Sequence, residues 1–311
     1  MQRMETATIT RADPAIDSIV PAGAEVEKLA GDFGFTEGPV WMRGGFLVFS
    51  DIPNNTIYKW TASGELTEFL KPSGYDGQDA TPGAFIGSNG LTLDGQGRLV
   101  ICEHGNRRVT RLEDNRKPAV LADRYEGQRL NSPNDAVYNS DGSLYFTDPP
   151  YGFVKQDEDP NKELPFNGIF RLNDGRLELL HKDMTRPNGL AFSPDEKYLY
   201  VANSDAKRRV WMRFRVTPDG GLADGEVFYD VTADPARGAP DGMKLDRRGN
   251  LYCTGPGGIW VFSPAGRHLG TIHFPEVPAN CHWGDEDART LYVTARTSLY
   301  RIRLSVEGIR P

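Results

Sequence analysis

"RPNGLAFSPDEKYLYVAN", residues 186–203, is the stretch on which the fold turns. An Asn-Gly pair heads it, a polar turn "SPDEK" divides it, and Leu, Tyr and Val fill its second half. That is the pattern of two short strands joined by a hairpin. The hairpin turn sits in the middle, so the Asn-Gly at the head is not needed to make it. Five other segments align with residues 188–203 without gaps over sixteen positions. They are "EGPVWMRGGFLVFSDI" (37–52), "NGLTLDGQGRLVICEH" (89–104), "NDAVYNSDGSLYFTDP" (134–149), "DGMKLDRRGNLYCTGP" (241–256) and "NCHWGDEDARTLYVTA" (280–295). Successive starts lie 52, 45, 54, 53 and 39 residues apart along the chain.

Each segment is followed by further strand patterns, such as "NTIYKW" then "ELTEFL", giving about four strands per unit at the spacing of a propeller blade. Six units predict an all-β, six-bladed β-propeller of four-stranded blades. The sixth unit supplies only three strand patterns. "AEVEKLA" (24–30), which precedes the first unit, is the expected fourth, and it would close the ring by completing the last blade. The expected division is an N-terminal tail over 1–23 and a single propeller domain over 24–311.

Composition limits the function classes. A net charge of −7 without a basic run disfavours nucleic acid or an anionic membrane as the partner and suits a cation. No apolar run reaches the length of a membrane-spanning helix. The start, "MQRMETATITRADPAIDSIV", lacks an apolar leader core, so a cytoplasmic location is expected, or a periplasmic one if a leader has been removed. Cys102, Cys253 and Cys281 have no metal-ligand spacing, and no disulfide framework is indicated. No protein partner is indicated either.

The first residues of the six units are Glu37, Asn89, Asn134, Asn188, Asp241 and Asn280. In a propeller the first strand of each blade lines the central channel, so equivalent positions form a ring. Asn, Asp and Gly also favour the bend that enters a strand, which accounts for the amides but not for Glu37. Two carboxylates and several amide oxygens around one point are what a hard divalent cation needs, and oxygen donors in this number suit calcium over zinc. Two long insertions, 71–88 and 151–168, fall at the same mouth, as do the second-strand ends Asp51, Glu103, His104, Asp148 and Asn203. His104 is placed there to bind substrate or move a proton, or simply packs as a loop histidine. Trp41 and Trp283 read as packing between blades.

"FTEGPVW", "SPNDAV", "LYFTDPPYG", "RPNGLAFSPD" and "APDGM" together resemble the SMP-30/gluconolactonase/luciferin-regenerating-enzyme family, in particular its bacterial gluconolactonase-type branch, over roughly 25–305. The resemblance implies a calcium-dependent lactonase acting on a sugar lactone or related small lactone. It implies Glu37, Asn134, Asn188 and Asp241 as metal ligands and Asp241 as the proton-transfer residue. Asn89, His104, Asn134 and Asn280 are the expected substrate-binding residues. Animal members carry an Arg two residues before the third-unit Asn; Ser132 stands there in this chain, so a particular aldonolactone is not implied. Two alternatives share the ring: a metal-dependent phosphotriesterase-like hydrolase, and a non-catalytic binding propeller pinned by calcium. No Gly-x-Ser-x-Gly elbow supports covalent acyl transfer.

Overall fold

Each repeat folds into an antiparallel sheet whose innermost strand contains the repeat's first residue or starts two residues after it. The computed structural model describes residues 3–81 and 83–311. Blade one consists of Thr36–Met42, Phe46–Asp51, Thr56–Thr61 and Leu66–Leu70, hydrogen-bonded in chain order. The inner strands of blades two to six are Ser88–Leu93, Ala136–Tyr138, Pro187–Phe192, Met243–Leu245 and Pro278–Gly284. Blade six gains its fourth strand from Glu25–Ala30, antiparallel to Ser298–Arg303, so the ring closes as the missing strand pattern predicts.

The segment before that strand differs from expectation. Arg3–Thr6 pairs with Glu25–Ala30 and adds a fifth strand to blade six, while Ile9–Arg11 pairs with His268–Ile272 and adds one to blade five. After them the 3-10 turn Pro14–Ser18 is capped by Asp13, whose Oδ1 accepts the Ala15 N–H at 2.8 Å. Ile16, Ile19 and Val20 are buried against blades five and six. Strands of four and three residues have too little periodicity to be read locally, and the partner of Ile9–Arg11 lies about 260 positions away in the chain. Met1 and Gln2 of the expected tail, and Pro82 of the first insertion, lie outside the described residues.

Burial follows the gaps between blades. Six apolar clusters are each wedged between neighbouring blades: Val40, Ile57 and Leu91 between one and two, for example, and Trp211, Trp260 and Phe262 between four and five. Trp41 stacks on Tyr292 across the closure between blades one and six, and Trp283 meets Tyr252 edge-on, so both tryptophans pack between blades. All three cysteines are free and buried. Burying a large apolar side chain contributes about 1.5–3 kcal/mol, so every blade depends on both neighbours.

Candidate active site

The six ring positions are set apart from the strands that carry them. In blades one, two, four and six the first strand changes register at or just beside the ring residue, between Glu37 and Val40, Ser88 and Leu91, Pro187 and Leu190, and Pro278 and Asn280. In blades three and five the paired strand starts only after it, at Ala136 and Met243. Such irregularities release a residue from the ladder and re-aim its side chain. The ring is then knitted between blades: Ser50 Oγ donates to the Asn89 carbonyl and Thr147 Oγ1 to the Asn188 carbonyl, both at 2.8 Å. This explains the Asn-Gly signature. A Cβ on Gly38 would lie 2.1 Å from the Asn89 carbonyl oxygen, and one on Gly189 would lie 2.3 Å from that of Asp241. The glycine is there because the next blade's ring residue occupies the space.

The side chains differ in how they are held. Glu37 Oε2 accepts the Gly38 N–H at 2.7 Å and the Asn280 amide at 3.0 Å. Asn280 Oδ1 accepts the Cys281 N–H at 2.8 Å, so Asn280 braces the ring, and its oxygen is already engaged. Asn89 donates to His104 Nε2 at 3.2 Å and keeps a buried Oδ1 with no hydrogen-bond partner among the described residues. Asn134 has no side-chain hydrogen bond among them. Asn188 donates to Ser204 Oγ at 3.2 Å.

A further carboxylate, Asp135, belongs to this cluster and is absent from the sequence-based candidates. It is buried, with Oδ1 on the Ala136 N–H at 2.9 Å and Oδ2 unpartnered among the described residues. Its sequence signal is an exception: unit three has Asp135 where most units have the glycine. Burial raises the Glu37 pKa, and the Asp135 charge raises it further. Burial, then Glu37, then Asp135 hold the Asp241 carboxyl well above the usual range. The Lys244 ammonium, three residues beyond Asp241, acts against this on Glu37 and Asp135. Among the described residues no three acids, histidines or cysteines converge as a ready-made metal site, but the ring's chemistry, with mutually repelling acids, orphaned buried oxygens and amide carbonyls, is oxygen-only and of the kind a divalent cation takes.

Other expected mouth residues are engaged with the backbone. Asp51 accepts the N–H groups of Gly34 and Phe35, Asp148 that of Asn131, and Asn203 that of Arg186, each securing the chain that enters its own blade. His104 is buried, with Nδ1 3.3 Å from the Phe85 carbonyl, and burial lowers its pKa to about 4. It is therefore neutral near pH 7 and orients Asn89. The two insertions meet over this side and border an open cleft of about 650 Å³ lined by Tyr75, Thr81, His104, Arg107 and Phe153. At the opposite end a cavity, of about 460 Å³ and with Lys244 in its wall, is bordered by Ile309–Pro311.

Residues 35–297 match the model of the SMP-30/gluconolactonase/LRE-like region. A gluconolactonase of Zymomonas mobilis is 39% identical over 312 residues, covering 96% of this chain and 87% of its own. The solved structure of a gluconolactonase from Xanthomonas campestris superposes with a TM-score of 0.83 at 33% identity, over 97% of this chain and 95% of that one. Regucalcin from Agrobacterium tumefaciens, a calcium-binding protein, shares the fold at 20% identity with a TM-score of 0.72, over 91% and 94% of the two chains. With matches that span the whole propeller, the chain belongs to the SMP-30/gluconolactonase/LRE-like family.

Proposed function

We propose that this protein is a divalent-cation-dependent lactonase, with calcium the best-fitting ion, that opens a sugar lactone or related small lactone at the propeller axis. The observation that carries the reading is the bulged ring. Blades one, three, four and five carry Glu37, Asn134, Asn188 and Asp241 at its positions, with Asp135 next to Asn134, and this supports the reading in a chain 39% identical to a gluconolactonase over nearly its full length. Glu37, Asn134, Asn188 and Asp241 would hold the cation. When bound, it would supply Lewis-acid polarisation of the ester carbonyl.

The chain's own groups do the rest. Asp241 takes a proton on a carboxylate oxygen from the water that attacks the carbonyl carbon. The ring C–O bond then breaks, and the proton passes to the departing alkoxide. One lactone and one water thus give one hydroxy acid. Asn89 Oδ1 is free to accept a hydrogen bond from a substrate hydroxyl, and neutral His104 keeps the Asn89 amide turned that way. Acid release from glucono-1,5-lactone and a panel of γ- and δ-lactones, with EDTA and with restored calcium, tests this. Turnover that is abolished by EDTA and regained with the ion is expected. Full activity after rigorous metal removal would exclude the cation, and inactivity on every lactone would favour a binding propeller.

A further inference from the structure

Tyr151 has no place in the repeat pattern, yet the fold carries it to the ring. The insertion that bears it is fixed at its base. Ser132 is fully buried; its Oγ donates to the Pro149 carbonyl at 2.6 Å and accepts the Gly152 N–H at 2.8 Å. Gly152 fits tightly there, since a Cβ would lie 2.7 Å from Ser132 Cβ and 3.1 Å from His104 Cβ. The Phe153 N–H closes the turn on the Pro150 carbonyl at 3.1 Å, and the Arg107 guanidinium lies over the Phe153 ring at 4.9 Å. Clamped in this way, residues 149–153 aim the Tyr151 side chain across to blade four.

There its hydroxyl meets Ser204 Oγ at 2.5 Å, and the same Oγ accepts the Asn188 amide at 3.2 Å. The phenol is thus one hydroxyl away from a ring amide, close enough for the Asp241 charge to act on it. Tyr151 is partly buried, between Gly152 and Phe153, which line the cleft at the mouth, and the Asn188 side of the ring. Hydrogen-bond accounting then limits what it offers. If Ser204 donates to Tyr151, the phenolic O–H is free to donate. If Tyr151 donates to Ser204, a lone pair on its oxygen is free to accept. Either way a substrate hydroxyl finds a partner, and a lactone without one leaves a polar group unpaired.

We infer that Tyr151 determines specificity, selecting lactones that carry ring hydroxyls by pairing its phenol with one of them beside Asn188 and Asp241. This rests on the lactonase reading above. The test compares D-glucono-1,5-lactone with δ-valerolactone, a six-membered lactone without hydroxyls, in the calcium-loaded wild type, Tyr151→Phe and Ser204→Ala. Losing one hydrogen bond should cut the discrimination between the two lactones by about three- to tenfold in Tyr151→Phe, through KM for gluconolactone and not through kcat. Ser204→Ala, which unlatches the phenol, should move it the same way. Calcium affinity by calorimetry should stay at the wild-type value in Tyr151→Phe. Unchanged discrimination in an active Tyr151→Phe enzyme overturns this inference alone. So does an equal fall of kcat on both lactones, or a loss of calcium affinity, because either assigns Tyr151 to supporting Asn188. A wild type inactive on both lactones overturns the lactonase reading, and this inference with it.

Discussion

Glu37 is held by two hydrogen bonds on one oxygen, Oε2, and shares a buried space with Asp135 and Asp241. Its function and its effect on stability therefore oppose each other. A carboxylate whose folded pKa is raised contributes stability that is present below its unfolded value and lost as pH rises through the folded one. At pH 8 the ionised, metal-free ring is thus under strain. Glu37→Gln keeps an acceptor for Gly38 and Asn280 and removes that charge. The metal-free variant should melt roughly 2–5 °C above metal-free wild type at pH 8, a gap that narrows toward pH 4. Its lactone turnover in calcium should fall by at least about a hundredfold, as should that of Asp241→Ala. A metal-free Glu37→Gln melting below wild type would show the carboxylate to be stabilising. His104 makes a contrasting case: already neutral down to about pH 4, it contributes no limb to the pH–rate profile between pH 5 and 8. His104→Gln should lower turnover by less than about tenfold and leave the shape of that profile intact.

The irregular inner strands make the site, and they divide what the sequence makes legible from what it conceals. Ring membership was readable because the same position recurs in six units. The register shifts that free those residues were not, since a bulge is a property of two paired strands and leaves no mark in one of them. Asp135 is hidden for a related reason: it stands where most units have glycine, so recurrence does not mark it. The glycines themselves now carry a prediction. A Cβ on Gly242 would lie 2.0 Å from the Asn280 side chain, the one that braces Glu37. Gly242→Ala should therefore cost activity through a displaced Asn280, by at least about tenfold, while the free energy of unfolding in urea falls by no more than about 1–3 kcal/mol of overpacking. The N-terminal segment behaves oppositely: its described residues Ile16, Ile19 and Val20 pack into the apolar cluster between blades five and six, which holds no ring residue. Ile16→Ala, which empties a site between blades five and six, should cost about 2–5 kcal/mol in urea unfolding and leave kcat within about twofold.

At the scale of the whole molecule, ring and closure are one device. The ring side chains come from all six blades, with Glu37 and Asn280 in direct contact across 243 positions of sequence. Closure itself is made by Glu25–Ala30 against Ser298–Arg303. The propeller and its closing strand were legible because the pattern repeats and stops one strand short; the extra N-terminal strands were not, because only the assembled blades give them partners. An ion held at the axis would belong to no single blade, so its binding energy should appear in every blade at once. At a calcium concentration of a hundred times Kd, binding adds about 2.7 kcal/mol, and the melting temperature should rise by roughly 4 °C, reversibly with EDTA. Amide exchange separates an axial ion from one bound on an outer loop. The axial ion slows the inner strands of all six blades by a common factor, about a hundredfold at that concentration, because they exchange through the same global opening. An ion on the Asp76–Asp79 side of the first insertion would protect only the neighbouring turn. Glu37→Gln should abolish the common factor without unfolding the chain. Protection confined to one blade, or equal protection in Glu37→Gln, would remove the cation from the axis.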